Sequence, residues 1–281
     1  MTMNREKEIA PDGAILLAVD TSTAAIAAAL VRGDELLGQV QSLAERNHSV
    51  MTVTHLQELL VQAGVAPDSL DAIVAGRGPG SYTGMRIAVT VAKTLAWVWQ
   101  KPLIGVSSLE ALAYGAWQDE NGNIAESSDT GGEAAEQWII PIMDARRGQV
   151  YTAAFSVDSA GRWQRQAEDS IRLMADWTVE LRERLEKAGK TVNVHWTGME
   201  ADLALHEEAG RHVVGGSHVH DVMFVPSVMR GEALAKLGLA RLLRGETDEV
   251  HTMVPNYTQL AEAEAKLVAS KAGGIHDGKS K

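Results

Sequence analysis

Apolar and polar positions fall along this chain in blocks that read in turn as strands and helices. Ile15 to Asp20 is an apolar run that closes on a carboxylate, the pattern of a buried strand. Ala25 to Arg32 and Glu35 to Ser42 read as two more strands, and Gly33-Asp34 between them is a hairpin signal. From His48 to Ala63 the spacing turns helical, with Val53, Leu56, Leu59 and Leu60 on one face and Gly64 as the stop. Then come a strand over Leu70 to Ala75, a glycine-rich segment, and a long helix from Tyr82 to about Gln100. A strand over Leu103 to Val106 and a short helix over Ser108 to Ala116 follow. The order β-β-β-α-β-α-β-α predicts an α/β lobe on a mixed sheet.

From Asp119 to Gln137 the chain is rich in Glu, Ser, Gly, Asn and Asp, which predicts a flexible connection. The pattern then restarts. Trp138 to Asp144 is a strand that again ends in Asp, and Gln149 to Val157 and Gly161 to Ile171 read as the next two. Helices near Ala175 to Lys187 and Val228 to Leu243 complete a second lobe. The expected organisation is a disordered extension over 1–13, a first lobe over 14–117, a flexible linker over 118–137, a second lobe over 138–265 and a disordered tail over 266–281.

Composition narrows the function classes. The 281 residues are 45% hydrophobic and 22% charged, ordinary values for a globular chain. The longest apolar run, Ala24 to Val31, has eight residues, against the roughly 18 that a membrane span needs. The first thirteen residues lack the apolar stretch of a signal peptide, so a cytoplasmic protein is expected. Cysteine is absent, which removes disulfides, thiolate nucleophiles and Cys-based zinc sites. The net charge of -11 comes without a basic face, so any RNA is expected to be held through a partner. His48 and His55 stand seven residues apart on a helix, roughly 10 Å, too far to share an ion. His212, His218, His220 and Asp221 show no recognised ligand spacing. No metal site is expected, and no Gly-x-Ser-x-Gly elbow or His-Glu-x-x-His helix occurs.

The glycine-rich segment Arg77-Gly78-Pro79-Gly80-Ser81-Tyr82-Thr83-Gly84 lies between a strand and a helix, a place that favours anions. It lacks the lysine of a phosphate-binding loop, and Gly84 falls one place late for a dinucleotide fingerprint. Two readings stay open: a tight turn that shapes the lobe, with Ser81 capping the helix, or a surface for an anion or a partner through Arg77, Gly78, Gly80, Ser81, Thr83, Gly84 and Arg86. In the helix itself, Met85, Ala88, Val89, Ala92, Leu95, Ala96 and Trp99 form one apolar stripe, while Ile87, Val91, Trp97 and Val98 spread over other faces. A helix apolar on most sides needs cover on most sides. The stripe is the expected partner-binding face.

The block from Arg77 to Arg86, with Val19-Asp20-Thr21-Ser22, Gly105 to Leu109, Asp144 to Tyr151 and Pro255-Asn256-Tyr257, resembles the TsaB (YeaZ) family over about residues 14 to 265. That resemblance implies a two-lobed actin, sugar-kinase and Hsp70-like (ASKHA) fold with a reduced second lobe. It also implies a non-catalytic subunit that stabilises and activates a TsaD-like catalytic partner. With a TsaE-like ATPase, such a pair transfers a threonylcarbamoyl group to adenosine 37 of tRNAs reading codons that begin with A. The chain is then expected to carry no cofactor of its own, with ATP/ADP and a metal ion held by the partner subunits, and tRNA met only through the complex. Without its partner, the same helical surface is expected to support a homodimer.

Residue by residue, the carry-over is incomplete. The phosphate turn of nucleotide-binding relatives has Asp-x-Gly, whereas here Ser22 follows Asp20-Thr21 and Arg146 follows Asp144-Ala145. Asp20 and Asp144 are therefore residual nucleotide-site candidates whose alternative is to hold strand ends by hydrogen bonds. Ser108 and Leu112 occupy the places of the metal-binding histidine pair of TsaD, and Leu112 cannot ligate. Arg77, Arg86, Arg146 and Arg147 are candidates for tRNA contact at a composite site. Tyr257-Thr258-Gln259 departs from the Tyr-Leu-Arg of the family. Two alternatives remain: an independent nucleotide-dependent enzyme of the ASKHA class, and a peptidase.

Overall fold

The computed structural model describes residues 13–42, 48–119, 135–213 and 218–258. The expected N-terminal extension, most of the expected linker and the expected tail lie outside them.

The first sheet is built from β1 (Ile15–Asp20), β2 (Ile26–Arg32), β3 (Glu35–Ser42), β4 (Ala72–Gly76) and β5 (Leu103–Val106) in the order β3-β2-β1-β4-β5. Strand β1 runs antiparallel to β2 and parallel to β4. The second sheet contains β6 (Glu136–Asp144), β7 (Gln149–Val157), β8 (Trp163–Leu173), β9 (Val192–Gly198) and β10 (Val219–Pro226) in the order β10-β9-β6-β7-β8. In both sheets the first three strands form an antiparallel meander, and the fourth and fifth add in parallel on the other side of the first. This repeated order, third-second-first-fourth-fifth, is the two-lobed ASKHA topology that the resemblance implied. The second sheet keeps all five strands, so any reduction lies in its helical cover.

The helices are α1 (His48–Gln62), α2 (Tyr82–Val98), α3 (Ser108–Gln118), α4 (Met174–Ala188), α5 (Glu200–Arg211) and α6 (Gly231–Leu243). Together with the sheets they make five layers. Alternate residues of each strand feed the cores on its two sides, as strand geometry requires. Leu17 and Val19 of β1 pack with Leu56, Leu59, Ala92 and Ala96 under α1 and α2. Leu16 and Ala18 face the middle layer, where Leu109 and Leu112 of α3 and Leu234 and Leu239 of α6 meet Ile139 and Phe155 of the second sheet. Ile140, Val194 and Trp196 face outward to Trp177 and Leu181 of α4 and Leu203 of α5.

Two sequence expectations need correction. The helix near Val228 to Leu243 was assigned to the second lobe, but α6 packs on β1, β2, β4 and β5 of the first sheet. Its glycines allow the seat: a Cβ at Gly231 would lie 2.3 Å from the Ala28 carbonyl carbon, and one at Gly238 would lie 2.5 Å from Val74. The chain after α6 stays with the first lobe. Asp248 N–H donates to Leu103 O (2.7 Å), Lys93 Nζ donates to Met253 O (2.8 Å), and Asn256 N–H donates to Arg77 O (2.7 Å). The second correction concerns Val53, which is exposed on α1, while Leu56, Leu59 and Leu60 point inward as expected.

Candidate functional site

Between the lobes opens a cleft of about 1070 Å³. Its first-lobe wall is the turn after β1, with Thr21, Ser22 and Thr23, beside the glycine-rich loop and the N-terminus of α2. Its second-lobe wall is the turn after β6, with Asp144, Ala145 and Arg146, together with Asp202 of α5.

Asp20 does not line this cleft. It is fully buried, and both carboxylate oxygens are engaged. Ser22 donates to Oδ1 from its backbone N–H (2.6 Å) and its hydroxyl (2.7 Å), and Ser108 Oγ donates to Oδ2 at 2.5 Å. Ser108 Oγ in turn accepts from Gly78 N–H at 2.9 Å. Burial pushes the Asp20 carboxyl up from its ordinary range, against the pull of the hydrogen bonds from Ser108 and Ser22. The strand-end reading of Asp20 is therefore the one its geometry carries.

The glycine-rich loop is tied down in the same way. Ser81 N–H donates to Ser22 O (2.7 Å), Ser81 Oγ caps α2 by accepting from Gly84 N–H (3.3 Å), and Thr21 Oγ1 donates to Gly84 O (2.6 Å). A Cβ at Gly84 would stand 1.8 Å from Thr21 O, and one at Gly80 would stand 2.5 Å from Ser22 O. These glycines are required by close backbone approach between the loop and the β1–β2 turn. The amides of Gly78, Ser81 and Gly84 are spent inside the chain, so the anion reading of the loop loses those three donors. Arg77 is half-buried with its Nε unpartnered, whereas Arg86 is exposed with its guanidinium 5.4 Å from the Tyr82 ring centre.

Asp144 is the more accessible of the two strand-ending carboxylates. Its Oδ1 lies 3.2 Å from His206 Nε2, and Asp202 is its neighbour on the same helix. Burial, and then the charge of Asp144, lift the Asp202 carboxyl above its ordinary range against an opposing hydrogen bond. Arg146 and Arg147 follow with φ of 67° and 54°, so two exposed non-glycine residues hold left-handed backbone in this turn. Sequence reasoning missed Asp202 and His206 because it placed no helix there. The alternation of Val192 to Gly198, followed by Leu203, His206 and Gly210 at helical spacing, was the available signal. Among the described residues, no group of three or more His, Asp or Glu is placed to hold a metal ion. Leu112 is buried in the middle layer, and among the described residues no helix is long and apolar enough to cross a membrane.

The stripe expected to bind a partner turns the other way. Met85, Ala88, Val89, Ala92 and Ala96 are buried in the chain's own first lobe, and Leu95 and Trp99 pack against the same core. What α2 presents outward is Thr83, Arg86, Thr90, Thr94, Trp97 and Val98, flanked by half-buried Ile87 and Val91. Trp97 and Val98 are each 59% exposed. Tyr82, Arg86, Ile87, Thr90 and Val91 line a groove of about 330 Å³ along this face.

Residues 34–205 match the family described as TsaD, tRNA N6-adenosine threonylcarbamoyltransferase. A TsaD enzyme of Thermomicrobium roseum is 38% identical, but over only 33% of its own length and 37% of this chain. The Bacillus subtilis tRNA threonylcarbamoyladenosine biosynthesis protein TsaB is 36% identical over 91% of this chain and 99% of its own. The chain belongs to the TsaB family. A Pseudomonas aeruginosa crystal structure, described as an uncharacterised protein with similarity to peptidase YeaZ, superposes with a TM-score of 0.65 at 26% identity, covering 88% of this chain and all of that one.

Proposed function

We propose that this chain is the non-catalytic subunit of a tRNA threonylcarbamoyladenosine complex, and that it supports a TsaD-like catalytic partner. The observation that carries the reading is the lock among Asp20, Ser22, Ser108 and Gly78. It fills the turn in which a nucleotide-binding relative would need bare backbone and a free carboxylate. Ser108 is consumed by that lock, and Leu112 is apolar, so the helix carrying the metal pair in the TsaD pattern offers no imidazole here. What is left exposed is a surface for assembly, the outer face of α2. Apolar side chains such as Trp97 and Val98 on a helix face are features of binding sites. A TsaE-like ATPase and tRNA then join through the complex.

The test is a reconstituted modification reaction with TsaD and TsaE proteins, unmodified tRNA and threonylcarbamoyl-adenylate with ATP. Modified adenosine is counted with and without this chain. Modification is expected to require the chain, to persist with Asp20→Asn, and to fall at least tenfold with Thr90→Glu, which places a charge on the exposed face of α2. A charge at Ala92 would enter the core instead. Equal modification without the chain would falsify the assignment. Loss with Asp20→Asn in a folded chain would favour the independent nucleotide-dependent enzyme.

A further inference from the structure

After α6 the chain crosses the first lobe as a strap over 246–257. Asp248 Oδ2 accepts from Gly105 N–H (2.7 Å), and Lys93 Nζ donates to His251 O (3.2 Å) as well as to Met253 O. At Asn256 two holds meet. Its backbone N–H donates to Arg77 O in the first lobe, and its Nδ2 donates to Asp169 Oδ2 of β8 in the second, at 3.3 Å. Asp169 is fixed in turn: its Oδ1 takes Arg165 Nη1 at 2.7 Å, and Arg165 Nη2 pairs with Glu110 of α3 at 2.6 Å. The next residue is Tyr257. Its N–H turns back to Pro255 O (3.0 Å), so the ring takes its place from Asn256 rather than from a strand or helix. That ring lies 5.5 Å from the ring of Tyr82, and the two are 45% and 49% exposed. Tyr82 carries the contact onward: its hydroxyl accepts from Arg86 Nη1 at 3.4 Å, and it lines both the cleft and the groove on α2. Tyrosines and arginines of this kind anchor protein interfaces, because a tyrosine ring offers a large rigid area at small entropic cost.

We infer that Tyr257 belongs to the surface that receives the TsaD-like subunit, and that Asn256 is the positioning residue through which Asp169 of the second lobe holds it there. The inference rests on the proposed function and extends it. The partner-facing surface runs from the α2 groove across Tyr82 onto the strap, and the second lobe sets its far end. A chain of hydrogen bonds and ion pairs, Glu110–Arg165–Asp169–Asn256, thus links the middle layer to the surface where the subunits meet.

The test exchanges the two ends of the Asn256–Asp169 bond. Asn256→Asp sets one carboxylate against another and breaks it. Adding Asp169→Asn keeps an oxygen for Arg165 and turns a donor towards position 256, so the bond returns in reversed order, which a general loss of structure would not allow. Two quantities are measured on the full chain: the nuclear Overhauser contact between the Tyr82 and Tyr257 rings without partner, and the dissociation constant for a TsaD subunit. Asn256→Asp is expected to lose the ring contact and to weaken binding about fivefold, and the double variant to recover both. Tyr257→Ala is expected to weaken binding about tenfold with the melting temperature of the parent. Ring contact that persists in Asn256→Asp overturns the positioning role, and parent affinity in Tyr257→Ala overturns the surface. Thr90→Glu on α2 separates the two levels. If it weakens binding while Tyr257→Ala does not, the assembly reading stands and the strap lies outside the interface. No binding by the parent chain overturns both.

Discussion

At the scale of single residues, His195 reports how dry the second lobe is. It is fully buried on β9, its Nε2 lies 2.6 Å from Gln137 Oε1, and its Nδ1 has no partner. An amide oxygen only accepts, so the ring carries its proton on Nε2 and is neutral. Burial pushes its pKa down to about 4, a little relieved by Asp221. The unfolded chain takes up this proton below roughly pH 6.5, whereas the folded chain waits until about pH 4, so acid favours unfolding across that window. His195 is expected to add roughly 3 kcal/mol of stability at pH 7 that is lost as the pH falls to 4. Urea midpoints at several pH values will show this slope in the parent chain and its loss in His195→Gln. An unchanged slope in the variant would place the acid sensitivity elsewhere.

At the scale of elements, the seat of α6 is the most exacting contact. A methyl group at Gly238 would press on both γ-carbons of Val74, so Gly238→Ala is expected to cost about 1–3 kcal/mol. Val74→Ala opens that space. In the double variant, the two losses should therefore sum to more than the measured total by about 1 kcal/mol, and additivity would mean the helix shifts instead. Such contacts also mark where sequence reading stops. The strands β1, β2, β5, β6 and β7 were legible because each is an apolar run between turn residues. The period of α2 was legible too, as was the spread of its apolar residues over more than one face. The exchange of faces, with Met85 to Ala96 inward and Ile87 to Val98 outward, depends on which sheet lies beneath, and a one-dimensional pattern does not state that. Nor does it state that α6 returns across more than a hundred residues. The Asp20–Ser108 lock joins positions 88 apart, and only the fold brings them together.

For the whole molecule, the middle layer decides how the lobes behave. One apolar cluster runs from Leu16 through Leu109 and Leu234 to Phe155 and so joins the two sheets. Glu110 of α3 reaches across it to Arg165 of β8 (2.6 Å) and to Trp163 Nε1 (3.2 Å). The guanidinium of Arg165 lies 4.6 Å from the Phe155 ring centre and also pairs with Asp169. The lobes should therefore melt together. Calorimetry is expected to show a single transition, and Glu110→Ala should lower stability by about 1–3 kcal/mol while keeping it single. Two resolved transitions would contradict this coupling.

The return of α6 has a further consequence, for synthesis. A ribosome delivers β1 to α3 early, but the helix and strap that finish their sheet arrive more than a hundred residues later. At a synthesis rate of about 5–20 residues per second, that interval is on the order of ten seconds. Through it, one apolar side of the nascent sheet stands uncovered, and the intervening lobe is made as an insertion within an incomplete one. For this chain, residues 231–256 close a first core whose strands were made long before them.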